Sequence, residues 1–317
     1  MKFYRALLCL AVSPLALSAG VAHAQESVSG GLNASAVDLF SRDQNVGVRE
    51  RPHPEYEAQG LRLGTFLAYP RLDVSLETND NIYALDTLEQ SDTILRLAPS
   101  VSIVSNWSRH SFQAFARGAF TRYSDFDAEN TDDYEVGASG RLDIQRSWEA
   151  TGQGNYARIS EPRIAQNTPD ASAEPIEYNL AHLNFGTQRT FNRIRLGANL
   201  DWSSYDYDDG RTIGTTLIPS VVIDQDVRDR DVVSFTVRGD YAVSPDTAIF
   251  LQVSANSRSY DIGSTLTTAA RNSDGYEILA GADFEVSNLI SGDAAVGYVS
   301  QNFEDVRFKD IGSFGAR

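Results

Sequence analysis

The sequence predicts an all-β protein: a transmembrane antiparallel up-and-down β-barrel of the bacterial outer-membrane type, with about twelve strands visible. Three observations carry that expectation. Apolar and polar residues alternate with period two over stretches of about 10–15 residues, longer than the ~5–6 usual in soluble strands and enough for the ~9–11 of a tilted membrane strand. The connections alternate long and short without exception: short ones at 106–109, 146–149, 190–193, 244–246 and 287–292 separate long acidic ones. Alternation alone also fits a soluble sandwich, but a sandwich has no reason to sort its connections this way. Aromatic residues gather near both strand ends, with Trp107, Trp148 and Phe191 beside short turns and Tyr123, Trp202, Tyr205, Tyr207 and Tyr260 beside long loops. Two such bands are expected as interfacial girdles.

Taken in order, residues 1–24 read as a secretory signal peptide. Lys2 and Arg5 form the basic start, an apolar stretch follows, and Ala22-His23-Ala24 is a cleavage site. The apolar run is too short for a membrane-spanning helix. Residues 25–63 read as a polar periplasmic arm, with a short helical turn near 34–40 and with Pro52 and Pro54 holding its end extended. Arg51 and Glu55 are candidates to dock in the barrel mouth, and a solvated leader fits the composition equally well.

The barrel is expected over 64–317. Leu72, Val74 and Leu76 alternate with Arg71, Asp73, Ser75 and Glu77 in the first strand, and Leu95, Leu97, Val101 and Ile103 with Arg96, Ala98, Ser100 and Ser102 in the second. The fourth sets Tyr134, Val136, Ala138, Leu142 and Ile144 against Glu135, Ser139, Arg141 and Asp143. The seventh sets Ile194, Leu196, Ala198 and Leu200 against Arg195, Asn199 and Asp201; the eighth sets Val233, Phe235 and Val237 against Ser234, Thr236, Arg238 and Asp240. The ninth and tenth repeat the pattern through Arg258 and Asp283 on the polar side. The third, fifth, sixth and eleventh strands, near 112–123, 149–160, 178–189 and 292–303, alternate less cleanly, with Gly118, Gly152 and Gly154 suggesting kinks or tight packing. Residues 311–317 look like the start of a twelfth strand. A closed barrel needs an even strand number and no open edge in lipid, so the expectation is a truncated chain whose native form runs on.

Composition narrows the function. The formal net charge is −16, and loss of the signal's two basic residues takes it to about −18, which disfavours nucleic acid as a partner. The single cysteine, Cys9, lies in the signal, so disulfides, thiolate metal sites and a lipid-anchored cysteine are not expected. His53, His110 and His182 are not spaced as metal ligands. His182 with Asn184 on one strand face, and Ser203 on the next strand, is the nearest approach to a nucleophilic site, but same-face polar pairs are ordinary in a wet lumen. No catalytic residue, metal or cofactor is therefore expected. The carboxylates at 125–133, 206–209 and 224–231 lack a calcium-loop pattern and read as loops facing lipopolysaccharide, with divalent bridging to lipid phosphates a modest use of the same charge.

The inward face carries mixed charge: Arg96, Arg141, Asp143, Arg195, Asp201, Arg238, Asp240, Arg258 and Asp283 are the candidate lumen or transport-path residues. Opposite charges can pair across the ladder and stiffen the wall, or they can select solutes; sequence does not divide the residues between these roles.

Residues 51–56 (Arg-Pro-His-Pro-Glu-Tyr), 60–66 (Gly-Leu-Arg-Leu-Gly-Thr-Phe), Tyr69-Pro70 and 78–83 (Thr-Asn-Asp-Asn-Ile-Tyr) resemble, in order and spacing, the outer-membrane proteins called putative β-barrel porin 2, often encoded with exopolysaccharide or capsule export systems. The resemblance implies a role in moving or anchoring a secreted polysaccharide, with polysaccharide and export machinery as partners, and carries over no catalytic residue. The competing expectation is a general or substrate-selective diffusion porin. For that reading, the loop over 205–231 is long enough to enter the mouth, and its 212–223 segment is apolar enough to tuck in or form a short hairpin. A small barrel plugged by its own side chains fits poorly, because twelve or more strands leave space inside.

Overall fold

The computed structural model describes residues 58–83, 87, 89–163, 172–214, 219–263, 269–287 and 290–317. The expected signal peptide and the arm up to residue 57 lie outside them. Thirteen strands form one sheet and two more a small hairpin. In chain order they are β1 (Leu61–Leu63), β2 (Phe66–Asn79), β3 (Asp92–Ser105), β4 (Ser111–Tyr123), β5 (Thr131–Gln145), β6 (Trp148–Ser160), β7 (Glu177–Phe191), β8 (Ile194–Tyr207), β9 (Gly210–Arg211), β10 (Val222–Ile223), β11 (Arg230–Ser244), β12 (Thr247–Tyr260), β13 (Ser273–Ser287), β14 (Ile290–Phe303) and β15 (Ile311–Ala316). Every strand of the large sheet pairs antiparallel with its predecessor, except that β8 pairs with β11 because β9 and β10 pair with each other. The sheet is not closed: β1 and β15 form its two edges. Leu61–Leu63, at the end of the expected arm, fold back on β2 through Gly64, whose φ of 64° is in the left-handed region that glycine adopts without strain.

The long–short rhythm sets this topology. At the short end, Asn192 takes a φ of 55° in the turn joining β7 to β8. Bulges interrupt the register between Asp143 and Gln145, Ala242 and Ser244, and Glu285 and Ser287, each beside a short turn, where they tighten the local twist. Gly118 packs as its smallness suggests, since a Cβ there would meet the Phe120 ring. At the long-loop end a different device recurs. The last residue of a strand donates its backbone N–H to an Asn or Asp placed immediately before the next strand: Tyr123 to Asn130 (2.7 Å), Tyr207 to Asp229 (2.7 Å), Tyr260 to Asn272 (2.7 Å) and Phe303 to Asp310 (2.9 Å). Each clasp satisfies a donor that the ladder no longer can, which fixes where pairing stops.

The two faces of the wall are inverted relative to a soluble protein. Leu196 is 49% exposed and Leu251 54%, whereas Thr236 and Ser254 on the other face are each 1% exposed. Among the described residues no α-helix is found, and outside the main sheet lie only the β9–β10 hairpin and two three-residue 3-10 turns at 127–129 and 226–228, so the polar face is buried by the wall curling over it. An apolar convex face and a polar concave face is the arrangement a β-wall needs in hydrocarbon. Strands of 14–15 residues, at about 3.3 Å per residue, reach about 45–50 Å, so even when tilted their ends project beyond a ~25 Å apolar band.

Candidate functional site

The inner face holds all nine residues expected there, because strict alternation carries each onto the same side as its register partners. The ladder brings four together. Asp240 lies opposite Arg195 on the neighbouring strand and accepts its Nε–H at 3.0 Å; its other oxygen accepts from Arg238 Nε at 2.8 Å, and Arg238 Nη2 reaches Asp283 at 2.7 Å. The guanidinium of Arg238 also lies 3.9 Å from the centroid of the Phe250 ring, which points inward beside it. The four charges balance and are almost wholly buried, so they form a clamp across β8, β11 and β13 toward the short-turn end.

The other five stand apart from it. Arg141 pairs with Asp143 on its own strand at 3.0 Å, and Arg96 lies 3.4 Å from Glu77, both half-exposed. Asp201 binds His182 Nε2 at 2.7 Å and Asn184 at 3.0 Å, while His182 Nδ1 contacts Asn155 at 3.1 Å. Ser203 is the register partner of His182, yet both ring nitrogens are engaged elsewhere. Arg258 has no carboxylate partner among the described residues.

Between the clamp and the long-loop end lie residues that the charge pattern does not single out. Across β7, β8, β11 and β12 one row reads Asn184, Asp201, Ser234, Asn256 and the next Gly186, Asn199, Thr236, Ser254. Thr236 and Ser254 hydrogen-bond at 3.0 Å. Apart from Asp201, held by His182 and Asn184, these two rows offer hydroxyls and amides rather than charge. The alternating small polar residues were visible in the sequence, but only register shows that they form continuous rows.

The aromatic bands are present with changed membership. Phe66 packs edge-on against Trp107 and Phe112 at the short-turn end, and Arg189 covers Trp148 and Phe191. On the outer face near the long loops, Tyr134 contacts Tyr156, and Tyr276 contacts Tyr298. The expectation that Tyr123, Tyr205, Tyr207 and Tyr260 join a lipid-facing girdle is corrected. Their register places them on the inner face: Tyr123 beside buried Ile94, and Tyr205 opposite Arg230 with that guanidinium 3.9 Å from its ring centroid. Tyr207 stacks on Tyr178 at 4.8 Å. Position along a strand was right; parity decides the face. Trp202 stays on the outer face, two register steps from Leu200.

In the long loops most of the acidic side chains are exposed, while Glu129 and Asp229 are buried and a few charges are interlocked. Tyr83 donates to Glu129 at 3.1 Å, and Glu129 accepts from Arg163 Nε at 2.9 Å. Arg163 Nη1 also donates to the carbonyl of Ser172, which bridges to Thr212. Arg228 holds Glu161 through two contacts and lies over the Tyr207 ring. Burial, then the Glu129 carboxylate, pushes the Tyr83 phenol above its usual range. Asp229 is raised by burial and by Asp206, Asp226 and Asp261, against the N–H of Tyr207. Asp209, Asp224 and Asp226 bring carboxylate oxygens within 4.8 Å of one another, but all three are exposed and two already accept backbone N–H groups. Of the apolar 212–223 segment, Val222–Ile223 pair as β10 with β9 (Gly210–Arg211), just before the segment, residues 215–218 lie outside the described ones, and Val221 and Val222 are exposed.

A wall inverted in this way, with a charged and hydroxylated inner face, defines a membrane β-barrel of the outer-membrane type. The chain belongs to the putative beta-barrel porin 2 family, whose match covers residues 53–317. Among solved structures, the translocator domain of autotransporter NalP from Neisseria meningitidis is similar at 13% identity, over 83% of this chain and 88% of that one, with a TM-score of 0.33, too distant a likeness to carry weight. No curated protein matches the chain.

Proposed function

We propose that the barrel is a conduit for a secreted, acidic polysaccharide at the bacterial outer membrane, with its long loops outside the cell and its N-terminal arm in the periplasm. The observation that carries this reading is the inner face itself: rows of amides and hydroxyls between an aromatic, arginine-bearing mouth and a charge-balanced clamp. Hydroxyl-rich polymers exchange hydrogen bonds with such a surface as readily as with water, while balanced charge avoids trapping them. The role is non-catalytic, and the engagement of both His182 nitrogens supports that.

Internal neutralisation of Arg195, Arg238, Asp240 and Asp283 also favours a second reading, a weakly selective diffusion porin. Deleting the gene separates the two. Export predicts polysaccharide retained in the periplasm and lost from the surface. A porin predicts unchanged surface polysaccharide with slower entry of small solutes.

A further inference from the structure

We infer that the inner face of β11–β14, just inside the long-loop mouth, is a binding subsite for an acidic sugar residue, a uronate in an oligosaccharide. The inference rests on the conduit reading and names its first contact point.

Register places three rows side by side. The outermost holds Tyr205, Arg230 and Tyr260; the next Arg258, Ser273 and Phe303; the third Asn256, Gly275 and Gln301. Rows two residues apart are separated by about 6.6 Å, and neighbouring strands by about 4.8 Å, so the patch is about 13 Å by 10–15 Å, the footprint of one or two pyranose rings.

Its chemistry is distinct from the rest of the inner face. Among the described residues neither Arg230 nor Arg258 has a carboxylate partner, whereas Arg195 and Arg238 below them each hold one or more carboxylates. Three polar atoms of the patch are buried without a hydrogen-bond partner: Ser273 Oγ, Asn256 Oδ1 and Gln301 Nε2. Ser273 is 4% exposed. Buried groups of this kind are satisfied in almost every protein, so three together on adjacent strands mark a place where something else completes them. Gly275 makes the convergence possible, since a Cβ there would collide with the Gln301 and Asn256 amides.

The unsatisfied set contains both donors and acceptors, which a sugar's hydroxyls complement. Arg258, which has no carboxylate partner among the described residues, lies beside Arg230, whose guanidinium covers Tyr205 and donates to the Arg228 carbonyl; together they call for a carboxylate, which arginine holds in bidentate geometry. Tyr260 and Phe303 stand at register positions in the two outer rows of the patch, aromatic residues on which the C–H face of a pyranose can stack. The hydroxyl, carboxylate and apolar requirements are met together by a uronate.

The test is calorimetric titration of the detergent-folded, full-length protein with an oligogalacturonate, and with a neutral glucose oligomer of equal length. The expected result is saturable binding of the acidic oligomer, weakened at least tenfold in Arg258→Ala and in Tyr260→Ala, and partly retained in Arg258→Lys. Folding of each variant is read from its heat-modifiable mobility. No binding to the folded wild type overturns the subsite, as does equal affinity in the wild type, Arg258→Ala and Tyr260→Ala. Tighter binding of the neutral oligomer also overturns it. Conductance in planar bilayers reports separately on the conduit: a conducting barrel that does not bind the acidic oligomer loses the subsite and keeps the passage, and a folded barrel that binds it without conducting loses the passage.

Discussion

Asp229 accepts the backbone N–H of Tyr207 at 2.7 Å across 22 positions of sequence, closing the longest loop of the barrel where β8 ends and β11 begins. The same clasp joins Asn130 to Tyr123, Asn272 to Tyr260 and Asp310 to Phe303. Every donor in the set is aromatic, and every one lies on the inner face. One device therefore stops the ladder and turns a ring toward the mouth.

Asn130→Ala removes one clasp without touching a charge. The expected cost is about 1 kcal/mol, typical of a side-chain cap on an otherwise orphaned N–H. Hydrogen exchange should show faster exchange at the Tyr123 amide and little change at Tyr260, whose own clasp is intact.

Loop order should depend on pH in an unusual direction. Asp226 and Asp229 both titrate above the ordinary 3.8, Asp226 through partial desolvation and then Asp224 and Asp209, Asp229 through burial and then its carboxylate neighbours. A raised folded-state value means that the folded loop binds protons more tightly than the unfolded chain. Stability of the 206–229 region should thus rise as pH falls through the folded values toward 3.8, and the penalty should be fully present at neutral pH. Asp226→Asn should reproduce part of the acid effect at neutral pH. Exchange protection of the Tyr207 amide, corrected for intrinsic rate, checks both.

Arginine on the outer face should be costly. Leu196→Arg or Val237→Arg should lose about 2–4 kcal/mol near the bilayer midplane. Ser75→Arg, on the exposed inner side of β2, should change stability by less than about 1 kcal/mol. Equilibrium unfolding from lipid vesicles measures all three, and equal losses contradict the facing.

Removing one partner of the clamp should also be severe. Asp240→Asn leaves Arg195 and Arg238, at 5% and 8% side-chain exposure, without their shared carboxylate. The expected loss is about 3–5 kcal/mol. Asp73→Asn, which breaks the half-exposed pair with Arg71, should cost at most about 1 kcal/mol in the same unfolding experiment.

The strands and their facing were legible because alternation is a local signal: Val237 outside and Arg238 inside follow from adjacent letters. The pairing of Arg195 with Asp240 was within reach, since the short turns at 190–193 and 244–246 lie at the same end and bring the start of β8 alongside the end of β11. Partners across loops were not. Arg163 and Glu129 lie 34 positions apart and Arg228 and Glu161 lie 67 apart, and no periodicity links them. The mouth tyrosines were visible, yet they were assigned by depth alone. Tyr205 and Tyr207 share the parity of Arg195 and Asp201, which places them inside.

The most direct test of the central claim, a membrane wall with a wet polar interior, is cysteine scanning along β5 in a Cys9→Ser background. Single cysteines at 135, 139 and 141 should react with a charged, water-soluble thiol reagent in folded proteoliposomes. Those at 136 and 142 should resist it and report lipid contact when spin-labelled. Alternation with period two is the predicted result; equal reactivity at both sets, or water access confined to 136 and 142, would contradict the account.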